Sequence, residues 1–357
     1  MMNLFIKKFI IGVNIWSGCA PFRASNTAKN PAQSCYHYFL TDPDEENMSF
    51  GRDRLKALFK STKQTYLGAH FSIAGGLHKA LFTAQTYRCT AVQLFTKNAT
   101  TWKERQLTDD DIHLFKQAVK DTRITRIASH TSYLINLATP DRKKWAKSKQ
   151  ALTEEMIRSD ALGIPFVVHH PGSHMGSGLE KGMDRIVAAV NDIFNENPGL
   201  TPRLLFETTA GQGTGIGHRF EQLADIIAQI NVNDRIGVCL DTCHIFAAGY
   251  DIRTKETYRQ TMAHFDDIIG LSNLYFIHLN DSLKEFSSRV DRHAHIGQGA
   301  IGMDGFRFIM TDPRLFGIPK VIETPKGSGD EDFDTVNLAR LLKLISEYSL
   351  KKEPDDR

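Results

Sequence analysis

The chain has 357 residues, 41% apolar and 24% charged, an ordinary balance for a soluble globular protein long enough to bury a sizeable core. A formal charge of only +3 excludes a polyelectrolyte, so any nucleic-acid binding must come from a local basic face. Its five cysteines form no CxxC pair and no run of about 18 apolar residues occurs, which argues against a disulfide framework and a transmembrane helix, and for a reducing, intracellular setting.

The first 41 residues differ in kind from the rest. They carry Lys7, Lys8, Arg23 and Lys29 with no acid before Asp42, and begin with the apolar MNLFIKKFIIGVNIW. Three readings stay open: an organelle targeting peptide, for instance mitochondrial; a signal ending near Ser17-Gly18-Cys19; or a start upstream of a true Met48. On any of them this is a dispensable leader, joined by the acidic linker DPDEEN, and residues 48–357 read as one domain.

From Tyr66 onward, runs rich in β-branched and aromatic residues alternate with segments of helical periodicity. The strand-like runs are YLGAHFS, AVQLFT, IASHTS, FVVHH, LLFET, IGVCLD, LYFIHLN and KVIET. Between them lie helical stretches such as 107–121, which opens with Thr108 and three acids, and 184–197. Eight such β–α units in roughly 290 residues predict a TIM (β/α)8 barrel in preference to a doubly wound sheet.

Polar residues recur at the ends of these runs. His70, His130, His170, Glu207, Asp241, His278 and Glu323 each close a strand, where a barrel gathers its strand ends at one mouth. One such residue would be unremarkable packing, but seven on one rim are costly unless used. Imidazoles mixed with carboxylates suit zinc or manganese. His244 follows three residues after Asp241, and Asp291 and His293 stand two apart in an extended segment, so all three can join one further ion. Together these are too many for one ion and suit two or three ions sharing a carboxylate.

The motifs HTSYLIN (130–136), HHPGSH (169–174), ETTAGQG (207–213), GVCLDTCHIFAAGYD (237–251), HLNDS (278–282) and SRVDRHAHIGQGAIG (288–302), with the final VIET, resemble the endonuclease IV family. These are zinc-dependent apurinic/apyrimidinic endonucleases of base excision repair, AP endonuclease family 2, with a xylose-isomerase-like barrel. The resemblance runs in order from about residue 66 to 342. It implies three zinc ions per chain, with manganese an option at one site: His130 and His170 on the first, Glu207 bridging to a second held by Asp241, His278 and Glu323, and His244, Asp291 and His293 on the third. Glu207 and Glu323 would be catalytic as well as ligating, Glu323 orienting the nucleophile. It further implies a monomer that cuts duplex DNA 5′ to abasic sites, leaving a 3′-hydroxyl and a 5′-deoxyribose phosphate, and that trims blocked 3′ ends. Tyr133 and Leu134 match wedge positions, with Lys97, Asn98 and His70 also expected at the DNA. Ala99-Thr100 replaces the family's Gln-Arg, so the intercalating arginine is missing unless Lys97, Lys103 or Arg105 stands in.

Blander roles fit the remaining candidates. His169 should face the helices by strand alternation, Cys239 should be core, and Cys243 should not ligate. AGQGTGIG (210–217) lacks the spacing of a phosphate-cradling motif and reads as a flexible loop along a groove. Two rival functions remain: a metal-dependent sugar isomerase or epimerase of the same barrel superfamily, and a lesion-binding protein without catalysis.

Overall fold

Eight short strands, each followed by helical chain, close on themselves. The computed structural model describes residues 65–102, 105–327 and 332–352 together with Leu58, all within a compact unit spanning Phe50–Arg357. The leader reading of residues 1–47 and the wedge candidate Lys103 lie outside the described residues.

The barrel strands are β1 (Leu67–His70), β2 (Ala91–Leu94), β3 (Arg126–His130), β4 (Phe166–His169), β5 (Arg203–Glu207), β6 (Ile236–Asp241), β7 (Leu274–His278) and β10 (Lys320–Ile322). All neighbours pair in parallel in chain order, and β1 closes the ring by pairing with both β2 and β10. Two-residue strands β8 (Asp281–Ser282) and β9 (His293–Ala294) form a small antiparallel pair in the loop after β7. The helices are α1 (Leu77–Thr86), α2 (Asp109–Thr122), α3 (Arg142–Leu162), α4 (Leu179–Glu196), α5 (Phe220–Ala228), α6 (Thr242–Ala248), α7 (Lys255–Ile268), α8 (Gly302–Thr311) and α9 (Phe333–Lys352).

Local chemistry sets the boundaries. Thr108 caps α2 by accepting from Asp111 N at 3.1 Å, while Asp111 returns the bond to Thr108 N, a reciprocal capping box. The stretch expected helical over 184–197 begins earlier, at Leu179, because Gly178 at φ 100° turns the chain into it. Among the described residues no helix is long and apolar enough to cross a membrane.

Period-2 alternation divides each strand between two cores. One cluster, including Ala91, Ala128, Val168, Leu205, Cys239, Phe276 and Val321, fills the barrel interior. The larger cluster lies between strands and helices and includes fully buried Phe115, Phe206, Phe220, Phe265 and Phe306. Each such phenylalanine contributes about 1.5–3 kcal/mol of burial.

The interior plug also sets the register of the site. Two residues beyond each inward apolar side chain, the next inward position lies at the mouth: Gln93 after Ala91, His130 after Ala128, His170 after Val168 and Glu207 after Leu205. Asp241, His278 and Glu323 follow Cys239, Phe276 and Val321 in the same way.

Candidate metal centre

The residues at the mouth form overlapping groups. His130, His170 and Glu207 bring ligand atoms within 4.8 Å of one another, as do Glu207, Asp241, His278 and Glu323, and as do His244, Asp291 and His293. Glu207 belongs to the first two groups and is fully buried. Its Oε2 lies 3.0 Å from His130 Nε2 and 2.9 Å from His170 Nε2, while Oε1 lies 3.0 Å from His278 Nδ1. Asp241 stands between groups in a similar way, with Oδ2 at 3.8 Å from both His278 Nδ1 and His293 Nε2.

These histidines are pre-oriented. His130 Nδ1 is 2.8 Å from the Thr131 carbonyl and His244 Nδ1 is 2.8 Å from the Thr208 carbonyl. His293 Nδ1 is 3.2 Å from the Glu323 carbonyl. A carbonyl only accepts, so in each ring Nδ1 carries the proton and the lone pair of Nε2 faces the carboxylates. His293 Nε2 is buried without a hydrogen-bond partner. A lone pair turned toward an anion requires a cation between them, either a proton or a metal. Zinc bonds of about 2.0–2.1 Å give a tetrahedral ligand-to-ligand edge of about 3.3 Å, and the observed gaps of 2.9–3.8 Å bracket it. The donor set fits a divalent ion.

Protonation of these side chains follows the same logic. Burial disfavours charge on Glu207, but His170, His278 and His130 outweigh it and hold its carboxyl well below the usual range. Burial likewise opposes charge on His244, yet Asp241 and Asp291 raise it well above an ordinary histidine. For His293 burial is overcome by Asp291 and Asp241, which push it up to about 9.

The local fold supplies each position. Asp241 ends β6 and caps α6, with Oδ1 accepting from His244 N at 2.8 Å. His244 is thereby fixed one turn into α6, with Nε2 at 3.2 Å from Asp291 Oδ2 and Nδ1 at 3.3 Å from Glu207 Oε1. Asp291 Oδ1 lies 3.3 Å from His293 Nε2, so the two converge as their spacing anticipates. Cys243 reaches one group with Asp241 and His293, but burial raises its thiol to about 12 and its Sγ lies 3.6 Å from the Arg292 carbonyl.

Two amides join the mouth that metal-ligating residue types alone do not reveal. Gln93 is fully buried; its Nε2 donates to Glu323 Oε1 at 2.5 Å, and its Oε1 accepts from His278 Nε2 at 2.7 Å. The carboxylate can only accept, which orients the amide and leaves His278 Nδ1 facing Glu207 and Glu323. Asn280 donates to Asp241 Oδ2 at 2.6 Å and accepts from Glu323 N at 2.8 Å. The step of two from Ala91 is the sequence signal that points to Gln93.

The expected DNA contacts divide. Tyr133 is 69% exposed above the site, its ring 5.7 Å from Phe95 and 6.0 Å from His130, and Leu134 beside it is half-buried. His70 packs on Phe95 with centroids 4.5 Å apart and lies 3.5 Å from Glu323. Asn98 is exposed but its Oδ1 accepts from Thr100 N and Oγ1. Lys97 departs from its expected surface placement. It is 7% exposed, and burial lowers its pKa against the pull of Glu155. Arg105 is paired through Nη2 with Asp111 at 3.0 Å. His169 is buried against Thr131 Oγ1 at 2.9 Å, on the side away from the mouth. The loop read as flexible is tied down: Thr209 N donates to Gly217 O, Gly217 N to Gln222 Oε1, and Ser173 bridges Gly215.

A family model described as a xylose isomerase-like TIM barrel matches residues 82–345. A probable endonuclease 4 of Geobacter sulfurreducens is 48% identical over 290 residues, covering 81% of this chain and 98% of the relative. One from Chloroflexus aggregans is 46% identical, covering 78% and 97%. Among solved structures, endonuclease IV from Thermus thermophilus superposes with a TM-score of 0.70 at 34% identity, covering 79% of this chain and 99% of that one. A D-tagatose 3-epimerase-like protein shares the fold at a TM-score of 0.61 and 16% identity, covering 80% and 99%.

Proposed function

The chain belongs to the endonuclease IV family, and on that premise we propose that it is a DNA-repair deoxyribonuclease that cuts duplex DNA on the 5′ side of abasic sites. The observation that carries this reading is the sharing of Glu207 and Asp241 among three groups of ligand type at one barrel mouth. An epimerase needs one or two ions and leaves the third group unexplained.

In this reading zinc is held by His130, His170 and Glu207, by Glu207, Asp241, His278 and Glu323, and by His244, Asp291 and His293, with manganese an option at one position. Metal so held supplies Lewis acidity at a phosphate and activates water for attack at neutral pH. The protein's own part is orientation. Glu207 keeps two groups in register through its two oxygens, and Gln93 and Asn280 hold Glu323 at the edge of the site where an attacking water is directed. The carbonyl contacts of His130, His244 and His293 hold the Nδ1 protons, so that Nε2 is the atom each ring would offer to an ion in place of a proton.

An abasic nucleotide leaves the stack at low cost, since no base must be unpaired. Tyr133, braced by Phe95, and Leu134 would fill the gap, with Asn98 and His70 nearer the displaced sugar-phosphate. Products are a 3′-hydroxyl and a 5′-deoxyribose phosphate, and the same hydrolysis removes blocking groups from 3′ ends. The catalytic unit is the domain from residue 48 onward, acting as a monomer inside the cell.

The test is incision of a duplex carrying one tetrahydrofuran abasic analogue, beside an intact duplex and a ketohexose. Nicking of the lesion duplex alone is expected, with Glu207→Gln reducing the rate by at least about 100-fold while lesion binding persists. Conversion of the sugar without nicking would replace this reading with an epimerase.

A further inference from the structure

We propose that Asp281 is a positioning residue for the group formed by His244, Asp291 and His293, acting through the backbone of residues 297–301. The proposal rests on the trinuclear reading above and concerns a side chain outside the nine residues assigned to metal.

Asp281 opens β8 and is fully buried. Its two oxygens accept four backbone N–H bonds. Oδ1 accepts from Ser282 at 2.8 Å and Ile301 at 3.0 Å, and Oδ2 from Gly297 at 2.9 Å and Gly299 at 3.0 Å. Three of these donors belong to a segment containing Gly297, Gly299 and Gly302, which left alone has many conformations to lose. A charged acceptor makes such bonds roughly twice as strong as a neutral one.

The loop with Asp291 and His293 is thus held at both ends. On its near side Arg289 N donates to Ala247 O at 2.9 Å, tying the chain to α6 beside His244. In its middle, β9 pairs with β8, setting Asp281 opposite Ala294 and Ser282 opposite His293. On the far side the carboxylate of Asp281 gathers residues 297–301, and Ala300 N donates to Ser282 O at 2.8 Å. His293 therefore reaches Asp291 from a strand whose exit is fixed by Asp281. The fit is close. A Cβ on Gly299 would collide with both Asp281 Oδ1 and Ser282 O.

Asp281→Asn keeps the volume but turns an amide N–H₂ toward N–H groups that need an acceptor. Removing support from a metal ligand typically weakens binding about 10–100-fold. The experiment counts zinc by mass spectrometry after dialysis against a graded chelator, for wild type, Asp281→Asn, Gly299→Ala and His293→Ala. Wild type with three ions and Asp281→Asn with two, matching His293→Ala, is the expected result, with the retained pair released at unchanged chelator concentration. Gly299→Ala, which displaces the same segment and leaves the carboxylate intact, should also lose one ion and decides the matter if Asp281→Asn does not fold. Three ions held at wild-type affinity in the folded variants overturns the proposal alone. Wild type with no more than two overturns the trinuclear reading and the proposal with it.

Discussion

Thr100 stands at the tip of the loop after β2, where the family resemblance implies arginine. It is exposed, and its hydroxyl is turned back onto Asn98 Oδ1 at 2.8 Å, while Ala99 beneath it is buried with its carbonyl accepting from Ser132 Oγ. Of the two described substitutes, Lys97 is buried and Arg105 is paired with Asp111. An arginine at 100 has room to project, so Thr100→Arg should tighten binding to the abasic duplex by about 5–10-fold, roughly 1–1.4 kcal/mol. Equal affinity of the two proteins in a fluorescence-anisotropy titration would mean that Tyr133 and Leu134 already fill the gap. At this scale the ionisable residues at the strand ends stand out, and the two amides beside them, Gln93 and Asn280, do not. His130, Glu207 and Asp241 stand out because a charge inside a strand is costly. Gln93 and Asn280 carry no such cost, and the charge that opposes the effect of burial on Lys97 is that of Glu155, 58 residues away in sequence.

At the level of elements, β6 with α6 and the β8–β9 hairpin with its loop bring the third group together. In the metal-free protein this junction is held by ion pairs, so its stability depends on pH. The pKa of His293 rises on folding from about 6.5 to about 9, chiefly because Asp291 and Asp241 outweigh burial. A histidine raised in this way stabilises fully below about pH 6.5 and loses that contribution as pH climbs through about 9. Metal-stripped protein should therefore melt at lower temperature at pH 9 than at pH 6.5, with His293 alone accounting for on the order of 2–3 kcal/mol. Zinc-loaded protein should show much less of this decline, because metal replaces the proton. An identical pH dependence of melting with and without zinc would remove His293 from the metal centre. Strand ends and the capped start of α2 could be read from local pattern, as Thr108 and Asp111 show. The two-residue strands β8 and β9 could not, because a pairing so short carries no periodicity, and the contacts of Asp281 beside it run to residues 297–301 rather than along the strand.

Across the whole molecule, one rule ties fold to chemistry. Parallel strands wound in one direction point every C-terminal end at the same mouth, and a side-chain period of two places apolar Leu205 or Phe276 below and polar Glu207 or His278 above. The barrel and its rim were legible in the sequence for that reason, as the apolar-then-polar step recurs in seven of the barrel strands. Which carboxylate is shared does not follow from strand pattern alone; the family resemblance implied Glu207, and the distances at which Glu207 meets His130, His170 and His278 across the barrel are what such sharing requires. The most direct test of the account strips the protein of metal, restores zinc, and follows one tetrahydrofuran-containing duplex with end-labelled strands. Loss of cutting on chelation, and its return with zinc as a single nick 5′ to the lesion bearing a 3′-hydroxyl, is the predicted result; cutting that survives complete metal removal, or a restored protein that binds the duplex and never nicks it, would contradict it.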